Sequence, residues 1–538
     1  MTHEATDVEP PPGAGDLGHG TRWRGLPLRV LIGVALVLVG VGAVVASTAP
    51  GSPAAVRVLG GNPPVNAGAG DRLDIRAHNS PSLVRSPVAA GELAVADRID
   101  TPRYSCGLHL SADGGGSWRD IPIPAPRGEE PKCYAPDVAY GADGTLYLSF
   151  VTLRGRGNVP HAVWIASMPR GGRVLSVPRK VLGSLSFQVR LVADPETPGR
   201  LYLSWLDAAS VGLFRFASPG NPIRLMHTDD GGRHWSEPVR VSSPARQRVL
   251  APTAALGPGG ELYVLYLDLG GDRLDYEGAH EGRGGPPYPG RWQLVLARSR
   301  DRGASWTESV AEPRLVPGER LISFIPPFPS LAVDPASGRV YAAFADARLG
   351  DRDVRVWTLP KDASHWRSTR VNDTPTRDGS AQYLPKLAVA PDGRLDVIYY
   401  DRRRDRDNTQ TEVSLQSSHD HGASFTKRTT LTDRPFDSRV GFGSDRGLPD
   451  LGSRLGLLST NERAFAVWTD TRAGTQASGK QDLARALTII AKPDKLSDPV
   501  KDALRYGGTL LAFAGLALLT TWMLRARRDQ RPFYPRRL

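Results

Sequence analysis

Leu201 to Asp207 read LYLSWLD, and near-copies recur: LAVADRID from Leu93, LYLSFVT from Leu146, LYVLYLD from Leu262, VYAAFAD from Val340, LDVIYYD from Leu395 and AFAVWTD from Ala464. From Leu93 onward the copies follow one another at intervals of 53, 55, 61, 78, 55 and 69 residues. That period is too long for a helical solenoid repeat and suits one four-stranded blade. Apolar residues on both faces of each string describe a strand buried between neighbouring sheets, so its tyrosines and tryptophans are read as packing. Turn sequences precede five copies: GADGT at 141, DPETPGR at 194, GPGGE at 257, DPASGR at 334 and APDGR at 390. They supply the φ > 0 positions of a tight hairpin. The expected class is all-β, a β-propeller of four-stranded blades; seven blades are predicted, and six is the alternative.

Composition agrees. The 58 glycines and 46 prolines among 538 residues call for many turns and few long helices. With 23% charged and 40% hydrophobic residues, neither wholesale disorder nor a polytopic membrane bundle fits. The formal charge is +12, but only nine lysines occur among 68 basic residues, and 56 acidic residues are interleaved with them. No block of like charge marks a nucleic-acid arm, so no nucleic-acid partner is expected.

Two apolar runs flank the repeats, Val30 to Ala46 and Gly507 to Leu524, each near the lower limit for a spanning helix. Arg22, Arg24 and Arg29 precede the first, and six arginines lie between Arg525 and Arg537 after the second. The bias of arginine places both termini in the cytoplasm of a plasma-membrane protein, with the body between the spans extracytoplasmic. A cleaved signal peptide is the alternative for the first run. The expected order is a cytoplasmic tail (1–29), a span (30–48), a Pro/Gly/Ala linker (49–70), the propeller (71–490), a linker (491–506), a span (507–524) and a basic cytoplasmic tail (525–538). Cys106 and Cys133 are the only cysteines, and in an exported region a disulfide between them would persist; two free thiols are the alternative. The seventh repeat lacks an outer strand, and residues 71–78 are expected to supply it and close the ring.

A second motif, Ser-x-Asp-x-Gly-x-x-Trp, recurs in register with the repeats. Its members are Ser111, Asp113, Gly115 and Trp118; Thr228, Asp230, Gly232 and Trp235; Ser299, Asp301, Gly303 and Trp306; and Ser418, Asp420, Gly422 and Phe425. The hydroxyl and carboxylate accept backbone N–H groups of a hairpin, glycine takes the αL corner and the aromatic covers the loop. In the fifth repeat the stretch Lys361 to Trp366 has lost both Asp and Gly. Here the chain resembles the sialidase-like Asp-box (BNR repeat) β-propellers, as a bacterial membrane-anchored member, over about residues 78 to 490. The resemblance implies structural boxes on the face opposite the ligand site. The stretch Gly452 to Arg472, GSRLGLLSTNERAFAVWTDTR, resembles the last blade of bacterial proteins grouped with exo-sialidases. True sialidases carry an Arg-Ile-Pro motif, three arginines, a Tyr/Glu pair and an Asp acid/base; no Arg-Ile-Pro occurs here, and no catalytic residue is assigned.

If strands run outward in chain order, the first-to-second and third-to-fourth hairpins share one face, and the other connections share the opposite one. Several second strands end on that opposite face in Asp: Asp207, Asp268, Asp346 with Arg348, Asp401 with Arg403, and Asp470 with Arg472. The Asp-x-Arg ends are candidates to grip a carboxylated ligand, or else to lock neighbouring blades. The long connection from Asp268 to Arg291 adds Asp272, Asp275, Tyr276, Glu277, His280, Glu281 and Tyr288, of which Asp272 and Glu277 are the ligand candidates. His109, His161, His227 and His365 show no ligand spacing, so no metal is expected, nor any other cofactor. The leading expectation is a membrane-anchored propeller binding a glycan or an envelope protein through this face. The alternatives are an exo-α-sialidase, with Tyr399 or Tyr400 as nucleophile, and a structural subunit of an envelope complex.

Overall fold

A computed structural model describes residues 27–48, 56–71, 73–209, 220–272, 288–317, 328–405, 407–441, 451–491 and 498–529. The chain divides into two units, Ala54–Lys492 and the pair of terminal stretches Met1–Pro53 and Pro493–Leu538.

The larger unit is a seven-bladed β-propeller, and six of its sheets are meanders taken in chain order. The second strand of each blade is the repeat string: Leu93–Ile99, Leu146–Arg154, Leu201–Asp207, Leu262–Asp268, Val340–Asp346, Leu395–Asp401 and Arg463–Asp470. Both faces of these strands are buried, as the absence of polar alternation requires; every residue of Leu262–Asp268 is buried. The sixth blade carries a fifth short strand, Phe436–Asp437, paired with Gln410 and Thr411.

Ring closure differs from expectation. The outer strand of the seventh blade is Val56–Leu59, antiparallel to Asp482–Ile490, with Val56 opposite Ile490 and Leu59 opposite Leu487. Residues 71–78 do not supply it, and His78 already belongs to the innermost strand of blade one, His78–Arg85. The four-residue alternation Val-Arg-Val-Leu is too short to stand out in a Pro/Gly/Ala-rich stretch, and it makes 49–70 only in part a linker. After this strand the chain runs back along the seventh blade. The Val65 N–H donates to Leu483 O at 2.8 Å, Asn66 bonds Asp482 and Leu483, and the buried Lys480 ammonium donates to the Gly68 and Asp71 carbonyls at 2.8 and 2.7 Å.

The four Ser/Thr-x-Asp-x-Gly turns follow the ends of third strands. In the first, Ser111 Oγ accepts the Gly115 N–H at 2.8 Å, Asp113 accepts the Ser117 N–H at 2.9 Å, and the Trp118 indole N–H donates to Gly115 O at 3.2 Å. Thr228/Asp230, Ser299/Asp301 and Ser418/Asp420 repeat this pattern of hydroxyl and carboxylate bonds. Gly115, Gly232, Gly303 and Gly422 have φ between 83° and 93°, a corner only glycine takes without strain. Ile490 ends the third strand of its own blade, so both ends of the propeller body lie at the end where the other blades carry these turns. Cys106 and Cys133 form a disulfide between blades one and two.

The smaller unit contains two helices, α1 (Leu28–Thr48) and α2 (Asp498–Asp529), both long and apolar enough to cross a membrane. Gly33 meets Gly515, and Gly40 meets Gly508, so the helices run antiparallel. A Cβ on Gly40 would collide with the Gly508 carbonyl oxygen, and one on Gly508 would lie 2.7 Å from that of Gly40. Glycine permits this close approach, as at packed interfaces of membrane helices.

Candidate binding site at the propeller axis

The innermost strands carry a feature that the strand count alone does not reveal. Five contain a bulge, between Asn79 and Ser82, Tyr134 and Asp137, Phe187 and Arg190, Leu250 and Thr253, and Tyr383 and Lys386. At each bulge one residue turns to positive φ: Ser80, Ala135, Gln188, Ala251 and Leu384, all between 49° and 59°. The residue two positions later is polar and borders the axis; the bulge re-aims it there. Blades five and seven complete the set with Ser330 and Arg454. One polar side chain per blade, Ser82, Asp137, Arg190, Thr253, Ser330, Lys386 and Arg454, thus lines a cavity of about 140 Å³.

Most of these groups tie one blade to another. Ser82 Oγ donates to Asp137 Oδ1 at 2.5 Å, and Asp137 Oδ2 accepts the Leu191 N–H at 3.0 Å. Thr253 donates to Pro329 O at 2.8 Å, and Ser330 Oγ accepts the Leu387 N–H at 3.0 Å. Arg454 Nε donates to Ser80 O at 3.0 Å and its guanidinium also reaches Pro136 O. Arg190 stands 3.4 Å from Asp137 and lies over the Phe328 ring. Lys386 is the exception: among the described residues its ammonium has neither a hydrogen bond nor an ion pair. It is half-buried; burial pushes its pKa down to about 8, with Arg190 and Arg454 pushing the same way and Asp137 opposing. Burial alone would raise the Asp137 carboxyl, but Arg190, Arg454, Ser82 and the Leu191 N–H hold it below the usual carboxylate range. Among the described residues the cavity is therefore lined by three cations and one carboxylate that is ionised at neutral pH.

The residues singled out from sequence lie elsewhere. Arg348 bonds Asp346 at 2.7 and 2.9 Å and pairs with Glu312 at 2.5 Å; Arg403 bonds Asp401 at 2.7 Å and Asp373 at 2.5 Å. Arg472 pairs with Asp470 at 2.6 Å and with Asp433. In all three the second carboxylate comes from the preceding blade, so each arginine clamps two blades, and a ligand would have to displace a carboxylate to use it. Asp207 and Asp268 pair with Arg224 and Arg246 at 2.7 and 2.6 Å. Asp272 is buried and accepts the Trp292 indole N–H at 2.9 Å. Asp275, Tyr276, Glu277, His280 and Glu281 lie outside the described residues. Tyr399 and Tyr400 are fully buried and donate to Gln416 Oε1 at 2.5 Å and Thr469 O at 3.2 Å, which leaves neither free to attack a ligand.

His109 does join a cluster, contrary to its isolation in sequence, because strand pairing brings it to His78. Asp97 accepts His78 Nδ1 at 2.7 Å on one oxygen and His109 Nε2 at 2.9 Å on the other, while His109 Nδ1 reaches Asp120 at 2.7 Å. The ligand atoms of His78, Asp97 and His109 lie within 4.8 Å of one another, and all three residues are buried. With a separate histidine on each carboxylate oxygen, this is a hydrogen-bonded network. Burial opposes the charge on His109, but Asp120 and Asp97 raise its pKa to about 9.

No protein-family model matches the chain, and no curated protein matches it. Solved structures match at low identity. A protein of unknown function from Dyadobacter fermentans is 14% identical, covering 81% of this chain and 99% of its own, with a TM-score of 0.43. An α-L-arabinanase of Penicillium chrysogenum is 12% identical over 80% of this chain and 98% of its own, at 0.43. The endosialidase of phage phi92 is 10% identical over 83% and 70%, at 0.41.

Proposed function

We propose that the protein is a membrane-anchored, extracytoplasmic propeller that binds the acidic end group of a ligand in its axial cavity. The carrying observation is the cavity itself: Arg190, Lys386 and Arg454 converge there against the single carboxylate of Asp137, and Lys386 is left unpaired. An incoming anion would supply the half-buried Lys386 ammonium with the partner it lacks among the described residues. The antiparallel pairing of α1 with α2 supports an anchor of two spans with both termini on one side, and the disulfide supports an oxidising compartment. Binding is preferred here because Asp137, held ionised, is not a general acid near neutral pH, and because the described lining residues include no tyrosine. Calorimetry on the detergent-solubilised full chain tests this. Glucuronate and glucose 6-phosphate should bind while glucose does not, Lys386→Met should weaken binding at least tenfold, and a fluorogenic sialoside should not be turned over. Equal binding of glucose, or turnover of the sialoside, would sink the reading.

A further inference from the structure

The axial cavity carries more positive charge than its ring of hydrogen bonds uses. Arg190 Nε makes no hydrogen bond, and Asp137 stands 3.4 Å from the Arg190 guanidinium. Arg454 gives two of its five N–H groups to the Ser80 and Pro136 carbonyls, which are neutral and leave its charge unbalanced. Lys386 spends none. Against Asp137, the described lining residues therefore hold two positive charges in excess. We propose that the cavity is a site for a doubly charged tetrahedral oxyanion, a phosphoryl or sulfate group, held between Lys386, Arg190 and Arg454.

This rests on the anion-binding reading above and narrows it. A carboxylate would leave one of the two excess charges uncompensated, whereas a dianion compensates both. Geometry points the same way. The three cations reach the axis from blades three, six and seven, so their donors come from separate directions around the ring. That suits a tetrahedral oxyanion better than a planar carboxylate, whose best partner is the fork of one arginine. The volume of about 140 Å³ takes one such group and a small substituent, well short of the several hundred Å³ of a pocket that engulfs a whole drug-sized ligand.

Lys386 also makes the site sensitive to pH. The charged groups facing it are Arg190, Asp137 and Arg454, and their balance with burial lowers its pKa to about 8. A bound dianion favours the ammonium, so binding near pH 8 takes up a proton, and affinity falls as pH rises through that value.

The test uses the full-length protein in detergent and titration calorimetry at pH 7 and constant ionic strength. Sulfate is a dianion at every pH used and acetate a monoanion. Sulfate should bind at least tenfold more tightly than acetate and lose at least tenfold between pH 7 and 9. Lys386→Met should abolish the preference, and Lys386→Arg, which keeps a cation of the same reach, should retain it. Methyl phosphate binding as well as inorganic phosphate identifies the end group of a larger molecule, and a hundredfold weaker binding identifies the free ion; both support the site. Acetate binding as tightly as sulfate overturns the dianion while leaving an acidic-ligand site standing. If the wild-type protein binds no anion of any kind, both readings fail.

Discussion

Gly107 shows how much one missing atom matters in this fold. It sits in a strand, opposite Asp97, and its φ is not positive, so its value lies in space. A Cβ there would collide with Asp97 Oδ1 and lie 2.8 Å from His109 Nε2, the two atoms whose hydrogen bond holds the network together. Gly107→Ala should therefore cost roughly 2–3 kcal/mol of stability, in the range of overpacking a buried site. Gly157→Ala, whose Cβ would meet only Val159 at 3.7 Å, should be close to neutral. Urea unfolding of the two variants side by side checks this, and equal midpoints would refute it. At single residues the sequence is least legible. Arg348, Arg403 and Arg472 have the right chemistry for a ligand, but a one-dimensional string does not show that Glu312, Asp373 and Asp433 already occupy them. The axial residues did leave a trace: Pro81-Ser82, Pro136-Asp137, Pro252-Thr253, Pro329-Ser330 and Pro385-Lys386 repeat at blade spacing. Proline beside a polar residue reads as a loop, whereas in four of these five pairs it lies in a bulge of an inner strand.

At the scale of the element, legibility followed burial. The second strands were plain because both their faces pack against apolar neighbours, so seven near-identical strings survived. The four turns were plain because only Ser/Thr, Asp and Gly at fixed offsets make those bonds. Strand Val56–Leu59 was not plain, since a four-residue edge strand with one partner needs little apolar surface. Its contribution is made through the backbone. Arg57→Pro should remove a ladder N–H opposite Ile489 and cost about 1–3 kcal/mol. Its signature should be local, with hydrogen exchange accelerating in Asp482–Ile490 well before the second blade responds. Uniform acceleration around the ring would contradict the assignment of this strand as the closing one.

For the whole molecule, the His78–Asp97–His109–Asp120 network sets a pH window. Asp97 is lowered to about 2, so its contribution is complete above the ordinary carboxylate value near 4 and is lost as pH falls through about 2. His109 is raised to about 9, so its contribution is complete below about 6.5 and is lost as pH rises through about 9. Stability of the body should accordingly hold from about pH 4 to 6.5 and decline from there to 9, and His109→Gln should flatten the alkaline decline. A urea midpoint in the wild-type protein that does not move between pH 6.5 and 9.5 would rule this out.

The closing blade is built from the first and last strands of the body, with Val56 and Ile490 side by side at the same end. A pull that separates the two chain ends would open that pairing like a zipper, one rung after another, beginning at Val56 and Ile490. Such a geometry resists force poorly, because only one rung bears the load at a time. The glycine-lined contact between α1 and α2 joins the same two ends by a second route. Tension along the chain from either helix would therefore load that contact as well as the Val56–Ile490 pairing.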